Sequence, residues 1–211
     1  MKPYKTLISR ADAEFVINKS HFIGHGKPVE SEEEALAFLA EMRETYKDAT
    51  HNCYAYIVGA NMGVMRYSDD GEPGGTSGQP TLNVFRQAGV CDVCCVVTRY
   101  FGGILLGSGG LVRAYSKAAA LALEAAGRAR MAEWERVELM CSYSQYERVR
   151  RLLEGSGAAD IEGSFGEFVA VAALLPAGAA GEMERRLSDM TAGAAQLAVK
   201  GSVFRPQKME G

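Results

Sequence analysis

Three structural signals follow one another within a single segment, Thr98-Arg-Tyr-Phe-Gly-Gly-Ile-Leu-Leu-Gly-Ser-Gly-Gly-Leu-Val-Arg113. A pair of glycines interrupts a run that is typical of a strand, and four further glycine or serine positions follow. A helix is predicted over residues 109–126, because Ser108 can cap its start and Gly127 can end it. The segment therefore predicts a strand, a glycine loop and a helix in that order.

The elements upstream of this segment are readable from their periodicity. Val93–Val97 is almost wholly apolar, which is typical of a strand buried on both faces. Ser31-Glu-Glu-Glu34 precedes apolar residues at helical spacing, so we expect a capping box in which Ser31 accepts from the N–H of Glu34. Two runs rich in β-forming residues, Asn52–Gly59 and Gly63–Ser68, predict a hairpin. A short helix is predicted after it over Thr81–Gln87.

A charged stretch, Glu133-Trp-Glu-Arg136, separates these elements from a second set and predicts a joint near Ala132. The second set runs strand, helix, strand, strand, helix, strand, and this βαββαβ order is typical of a ferredoxin-like sandwich. We therefore expect an α+β protein of two domains, residues 1–132 and 133–211. The predicted elements of the second domain are Val137–Tyr143, Gln145–Leu153, Asp160–Gly163, Glu167–Leu175, Ala180–Met190 and Ala195–Val199.

Composition excludes several classes of protein. Hydrophobic residues make up 47% of the chain and charged residues 23%, the balance of a globular protein, with a net charge of −3. The five cysteines are an odd number and four of them lie in apolar or strand-like runs, so we expect reduced, core-packed thiols, with no disulfide, zinc or other cofactor. No signal peptide or membrane-spanning run is apparent, which favours a cytoplasmic protein without a membrane partner.

A twelve-residue stretch, Asp69-Asp-Gly-Glu-Pro-Gly-Gly-Thr-Ser-Gly-Gln-Pro80, is too rich in glycine and proline for a helix or strand. One interpretation is a long surface turn, and the other is a binding loop, because long ordered loops are commonly functional. Adjacent aspartates on an extended backbone point in opposite directions, so we expect no metal here. The candidate residues of this region are His51, Asp69, Asp70, Glu72, Gly74, Gly75, Thr76 and Ser77.

The glycine loop before the predicted helix has the character of an anion site. Free N–H groups at a helix start favour negative charge, and flanking arginines can bind phosphate with two donors each. From Thr81 to Arg130 there are six basic residues against two acidic ones. No Walker A lysine is present at the required spacing. The candidates for nucleic-acid or phosphate binding are Arg99, Tyr100, Gly102, Gly103, Gly107, Ser108, Gly109, Gly110, Arg113 and Lys117.

Two other interpretations compete with that one. The glycines are equally suited to close packing between backbones. Arg99 can instead pair with an acidic residue such as Asp69, Asp70 or Glu72 and brace the loop. Of the cations, we expect Arg113 and Lys117 to face a ligand and Arg99 to be partly structural.

Three segments of this sequence closely resemble the IMPACT family, and in particular its bacterial YigZ-type branch. They are His51–Tyr56, the stretch Asp69–Pro80, and Val97–Tyr115, and Lys19-Ser-His-Phe-Ile23 fits the same pattern. The resemblance implies a first domain similar to domain 2 of ribosomal protein S5 and to domain IV of elongation factor G. It implies a ferredoxin-like second domain similar to domain V of that factor.

The resemblance also implies a role in translation. Eukaryotic members of the family regulate translation by engaging the activator of a stress-response initiation-factor kinase, and RNA or ribosome binding has been inferred for bacterial members from their fold. We therefore expect a non-enzymatic protein that binds RNA or the ribosome. The alternatives are a phosphate- or nucleotide-binding enzyme that uses the loop around Leu106–Gly110, and an adaptor with a protein partner in translation control.

Overall fold

The computed structural model describes residues 3–208, with the side chain of Lys208 excepted, as a mixed α+β protein with two sheets and five helices. In chain order the elements are β1 (Tyr4–Leu7), β2 (Ala11–Ile17), β3 (Ser20–Pro28), α1 (Glu32–Thr45), β4 (His51–Val58), β5 (Val64–Ser68), α2 (Gly78–Ala88), β6 (Val93–Tyr100), α3 (Gly107–Ala126), β7 (Arg128–Cys141), α4 (Tyr143–Gly155), β8 (Ala159–Phe165), β9 (Val169–Pro176), α5 (Ala180–Thr191) and β10 (Leu197–Lys208).

The described residues group into two compact units by their contacts. One unit consists of residues 3–131 with 206–208, and the other is Ala132–Arg205. Among residues 3–208, no helix combines the length and the apolar content needed to cross a bilayer.

The first unit is built around an antiparallel sheet with the strand order β2-β3-β6-β4-β5. Its central strand β6 is buried from Val93 to Arg99, in agreement with the predicted two-sided burial. One face of β6 joins a core with α2 and α3, and the other face packs with α1 through Cys94 and Val96. The hairpin β4–β5 also forms as predicted.

The strands β1, β2 and β3 were not predicted, and for β3 its two glycines explain why. Gly24 and Gly26 weaken the strand pattern of β3, since glycine disfavours strand interiors. In the structure a Cβ at Gly24 would overlap the carbonyl group of Ala118 in α3. The glycine is therefore present because the helix packs directly against the strand backbone.

The helix starts differ in part from the predictions. In α1 the Ser31 hydroxyl accepts from the Glu34 N–H (3.2 Å) as expected, while the Glu34 carboxylate accepts from the N–H of Glu30 rather than that of Ser31. Helix α2 begins at Gly78. Pro80, which the sequence pattern assigned to the loop, therefore lies in the first turn of this helix. Proline is tolerated there because the N–H groups of the first turn have no partner within the helix. Helix α3 begins at Gly107, two residues before the predicted start.

The second unit has the element order predicted for it. Strand β10 pairs with β7, β7 pairs with β9, and β9 pairs with β8, while the core forms between this sheet, α4 and α5. The charged stretch Glu133–Arg136 lies within a strand rather than in a loop, because β7 runs through it from Arg128 to Cys141, while the two units divide between Met131 and Ala132. Trp134 is buried there while Glu133 and Arg136 are exposed, so the charges mark the open face of a strand.

Candidate functional site

The loop Asp69–Ser77, here called the acidic loop, is organised by its first residue. The Asp69 carboxylate accepts hydrogen bonds from the N–H groups of Gly75 (2.8 Å), Ser77 (3.0 Å) and Gly78 (2.9 Å) and from the Ser77 hydroxyl (2.7 Å). Burial alone would raise the pKa of Asp69, but these four hydrogen bonds outweigh it and lower the pKa. Asp69 therefore fixes the loop and satisfies the start of α2, and it has no oxygen left free of the protein.

Glu72 of the acidic loop forms a buried ion pair with Arg99 of β6. Their side chains are 3% and 6% exposed, and Nη1 of Arg99 donates to Oε1 of Glu72 at 2.6 Å. The Tyr115 hydroxyl donates to the same oxygen (2.7 Å), and Nη2 of Arg99 donates to the Ser20 hydroxyl (3.3 Å). Of the two roles that the sequence allowed for Arg99, ligand binding and pairing with an acidic residue, the structure shows the second. Arg99 braces the acidic loop and does not lie on the open surface.

His51 and Asp70 are also bonded within the protein. Nδ1 of His51 lies 2.7 Å from the carbonyl oxygen of Asp70, which can only accept, so this nitrogen carries the proton. The Asp70 carboxylate accepts from the Asn52 N–H (2.7 Å). Nε2 of His51 faces Oε1 of Glu72 at 3.9 Å. Within the described part of the chain, no three side chains of His, Cys, Asp or Glu come together as a set of metal ligands.

Two residues that sequence reasoning missed complete this buried network. The Cys53 thiol donates to the carbonyl oxygen of Asp69 (3.0 Å) and to the Tyr115 hydroxyl (3.4 Å). Burial raises the pKa of Cys53 to about 12 and also raises the pKa of Tyr115, so both remain neutral donors. Both lie inside the motifs quoted above, but nothing in a linear sequence shows that they meet.

The rest of the acidic loop is divided between the interior and solvent. The Thr76 hydroxyl donates to the carbonyl oxygen of Pro73 (2.6 Å), and both Thr76 and Ser77 are buried. Gly74 and Gly75 are exposed and have open space where a side chain would project. Of the candidates in this loop, the two glycines are therefore the exposed residues, while the Asp70 side chain is 32% exposed.

The glycine loop that follows β6 is held close to the β2–β3 turn. The Gly102 N–H donates to the Ser20 hydroxyl (3.2 Å), and a Cβ at Gly102 would overlap the backbone of Lys19. Tyr100 is engaged, because its hydroxyl donates to Asp48 (2.9 Å). Phe101 is 44% exposed while its N–H donates to the Thr50 hydroxyl. Gly102 is thus a close-packing glycine, whereas Phe101 points to the surface.

The start of α3 is open to solvent. Gly107, Ser108 and Gly109 are exposed, no side chain caps this end, and its first turn holds no acidic residue. Arg113 and Lys117 are exposed on the same helix, and neither has an ion-pair partner among the described side chains. The surface made by Gly102, Gly103, Gly107–Gly110, Arg113 and Lys117 is called the basic face below.

The basic face has the parts of an anion site. Nη1 of Arg113 would lie 3.6 Å from a Cβ at Gly109, so the guanidinium turns back toward the helix start. Nζ of Lys117 lies 4.4 Å from the ring centroid of Phe15. Unpaired N–H groups at a helix start and adjacent cations together favour phosphate. No acidic residue occurs between Asp92 and Glu124, so nothing on this segment opposes such a ligand.

Comparison with known proteins identifies the family. The Impact N-terminal domain matches residues 18–123, and a domain of unknown function, DUF1949, matches residues 139–194. The IMPACT family member in the pol 5′ region of Thermus thermophilus is 43% identical over 179 residues, which cover 84% of this chain and 97% of that protein. The IMPACT family member YigZ of Escherichia coli (strain K12) is 37% identical over 183 residues, covering 86% and 90%.

Other relatives match smaller parts or the structure. The IMPACT family member YvyE of Bacillus subtilis (strain 168) is 48% identical over 114 residues, 54% of this chain and 52% of that protein. Proteins named IMPACT from Xenopus laevis and Mus musculus match over 94 residues. A crystal structure described as that of a hypothetical protein is 34% identical, with a TM-score of 0.61, and the alignment covers 93% of this chain and 97% of that one. The chain therefore belongs to the IMPACT family.

Proposed function

We propose that this protein acts in translation by binding RNA, free or within the ribosome, through the basic face, and that it does so without catalysing a reaction. The observation that carries the proposal is the open start of α3 beside Arg113 and Lys117, two exposed cations without partners among the described side chains. Groups that have no partner in the protein are available to phosphate. Membership of a family whose eukaryotic proteins regulate translation supplies the biological context.

An enzyme acting on a nucleotide is supported less well. Phosphoryl transfer requires carboxylates that can hold Mg²⁺ near the phosphates. The carboxylates of the acidic loop are already engaged: Asp69 by N–H groups of that loop, Asp70 by Asn52, and Glu72 by Arg99 and Tyr115. The basic face therefore offers phosphate binding without a group placed to assist bond cleavage.

The finer fold assignment belongs to the same proposal. The second unit is ferredoxin-like, and its βαββαβ element order with the strand order β10-β7-β9-β8 supports this. The first unit is similar to domain 2 of ribosomal protein S5, an assignment that rests on the family, and the domains divide near Ala132. A cytoplasmic location follows from a role in translation, and the five free cysteines suit a reducing compartment.

The test is RNA binding measured across a salt series. We compare the wild type with the double variant Arg113→Ala, Lys117→Ala, using structured and single-stranded RNA and sedimentation with ribosomes. Each cation that no longer neutralises a phosphate should reduce the slope of log K against log salt by about 0.7–0.9. The matched control is Arg148→Ala, Arg151→Ala, which removes two exposed arginines from α4 in the second unit and should leave the slope unchanged.

The outcomes separate the alternatives. Wild-type affinity no tighter than the non-specific range of about 10⁻⁴–10⁻⁶ M, together with no sedimentation with ribosomes, would overturn the proposal. Thermal stabilisation by ATP and Mg²⁺ without RNA binding would favour the enzyme. Capture of a protein partner that survives nuclease treatment, again without RNA binding, would favour the adaptor.

A further inference from the structure

The exposed ring of Phe101 is supported from below by a column of stacked groups. The guanidinium carbon of Arg99 lies 5.3 Å from the ring centroid of Phe101 and 5.3 Å from that of Phe22. Phe22 is fully buried and stacks on Phe15 at 5.4 Å, and Nζ of Lys117 lies over Phe15. Phe101 is thus the exposed end of a column of stacked side chains that passes through the core, and Lys117 of the basic face lies at its other end.

The position of Phe101 is fixed from several sides. Its N–H donates to the Thr50 hydroxyl at 3.0 Å, and the next residue, Gly102, is held by Ser20. The Arg99 group beneath the ring is itself held by Glu72 and Ser20. An exposed aromatic ring normally contributes little to folding, so this degree of support indicates a surface prepared for contact with something outside the protein.

We infer that Phe101 is a stacking platform for an unpaired purine base of single-stranded RNA whose phosphates lie on the basic face. This inference rests on the proposed function and narrows its substrate. Arg99 covers one face of the ring and the residue is 44% exposed, which leaves the side away from Arg99 for a base. A base on that side would extend the column by one layer. Purines present the largest stacking surface, and bases inside a duplex already stack on each other.

Charge favours RNA over a protein partner on this surface. Ile104 and Leu105 are exposed beside Phe101, and a protein would gain contact area from these apolar groups as well. However, the only charged side chains between Asp92 and Glu124 are cations.

The test measures the affinity of the full chain for fluorescein-labelled oligoadenylate, oligouridylate of equal length and a fully paired RNA duplex. We expect oligoadenylate to bind more tightly than oligouridylate, and the duplex to bind least. Phe101→Ala and Phe101→Leu should each lower affinity for oligoadenylate roughly 5- to 150-fold, the range of one base–aromatic stack, while Phe101→Tyr should retain it. The control Leu105→Ala removes an apolar group that is 85% exposed in the same loop and should bind as the wild type does.

The outcomes distinguish failure of the stacking platform from failure of the proposed RNA-binding function. If Phe101→Leu binds oligoadenylate as the wild type does, while the Arg113→Ala, Lys117→Ala variant is weakened, the stacking platform is refuted and the proposed function stands. If the wild type binds none of the three RNAs, both fail. If adenosine monophosphate binds as tightly as the oligomer, the occupant is a free nucleotide and the inference of a single strand is overturned. Circular dichroism of each variant confirms that it is folded.

Discussion

Replacing Glu72 with glutamine should destabilise the first unit more than any surface change to it. The variant leaves Arg99 buried without a counter-charge, and Nε of Arg99 already has no hydrogen-bond partner among the described residues. Breaking a buried pair by removing one member costs about 3–5 kcal/mol. For a chain of this length, about 2–4 °C is lost per kcal/mol, so the melting temperature should fall by about 6–20 °C. Arg99→Met should have a similar effect.

The double variant and an exposed pair provide the controls. Glu72→Gln combined with Arg99→Met removes both charges and should recover most of the lost stability, because neutral replacement of a buried pair is commonly tolerated. Glu41 pairs with Arg10 at the same 2.6 Å, but their side chains are 47% and 41% exposed. Glu41→Gln should therefore change the free energy of unfolding by no more than about 1 kcal/mol.

Urea unfolding followed by far-ultraviolet circular dichroism measures the free energies. Trp134 is the only tryptophan of the sequence and belongs to the second unit, so its fluorescence reports on that unit separately. Two results would refute the reasoning. One is a change of less than about 0.5 kcal/mol in both single variants, the range of surface substitutions. The other is a double variant whose loss equals the sum of the two single losses.

Three further predictions test other parts of the first unit and the thiols. The pKa of Asp69 is lowered in the folded protein, so the stability that this carboxylate contributes is present above about pH 4 and is lost as the pH falls through the folded pKa. Asp69→Asn should therefore reduce the loss of stability at acid pH that urea unfolding measures. An unchanged loss at acid pH would contradict this prediction. Gly102→Ala should lower the melting temperature because its Cβ overlaps Lys19, whereas Gly74→Ala, with open space around it, should not; equal melting temperatures would be inconsistent with that packing. The five cysteines are free and buried, so Ellman's reagent should react with them only after unfolding, and rapid reaction of the native protein would show that one is accessible.

The predictable parts of the fold were those specified locally. The apolar run of β6, the hairpin β4–β5 and the end of α3 at Gly127 depend on residues that are neighbours in sequence. Strand β3 was missed because Gly24 reads as a strand breaker until the carbonyl group of Ala118 is placed against it. That contact joins residues far apart in sequence, and no local pattern encodes it.

The candidate site divides in the same way. The sequence placed Arg113 and Lys117 on the outer side of a helix, because helical spacing determines which face a residue occupies. It left three possible partners for Arg99, and choosing Glu72 required the path of the acidic loop. The role of Ser20 was also missed, since a hydroxyl that holds two groups has no signature in a single sequence.

The two glycine-rich segments differ in whether their polar groups are already hydrogen-bonded within the protein. In the acidic loop the polar side chains bond inward, so its abundance of carboxylates and hydroxyls produces rigidity rather than a binding site. At the start of α3 no side chain caps the first N–H groups, which lie beside cations that have no ion-pair partner among the described residues. A ligand is held by groups the fold has not already used, so the second segment is the one that can meet an anion. Arg99 connects the two, because its pairing with Glu72 fixes the acidic loop while its guanidinium supports Phe101. In the complex that we propose, the acidic loop therefore holds the platform in place without touching the RNA.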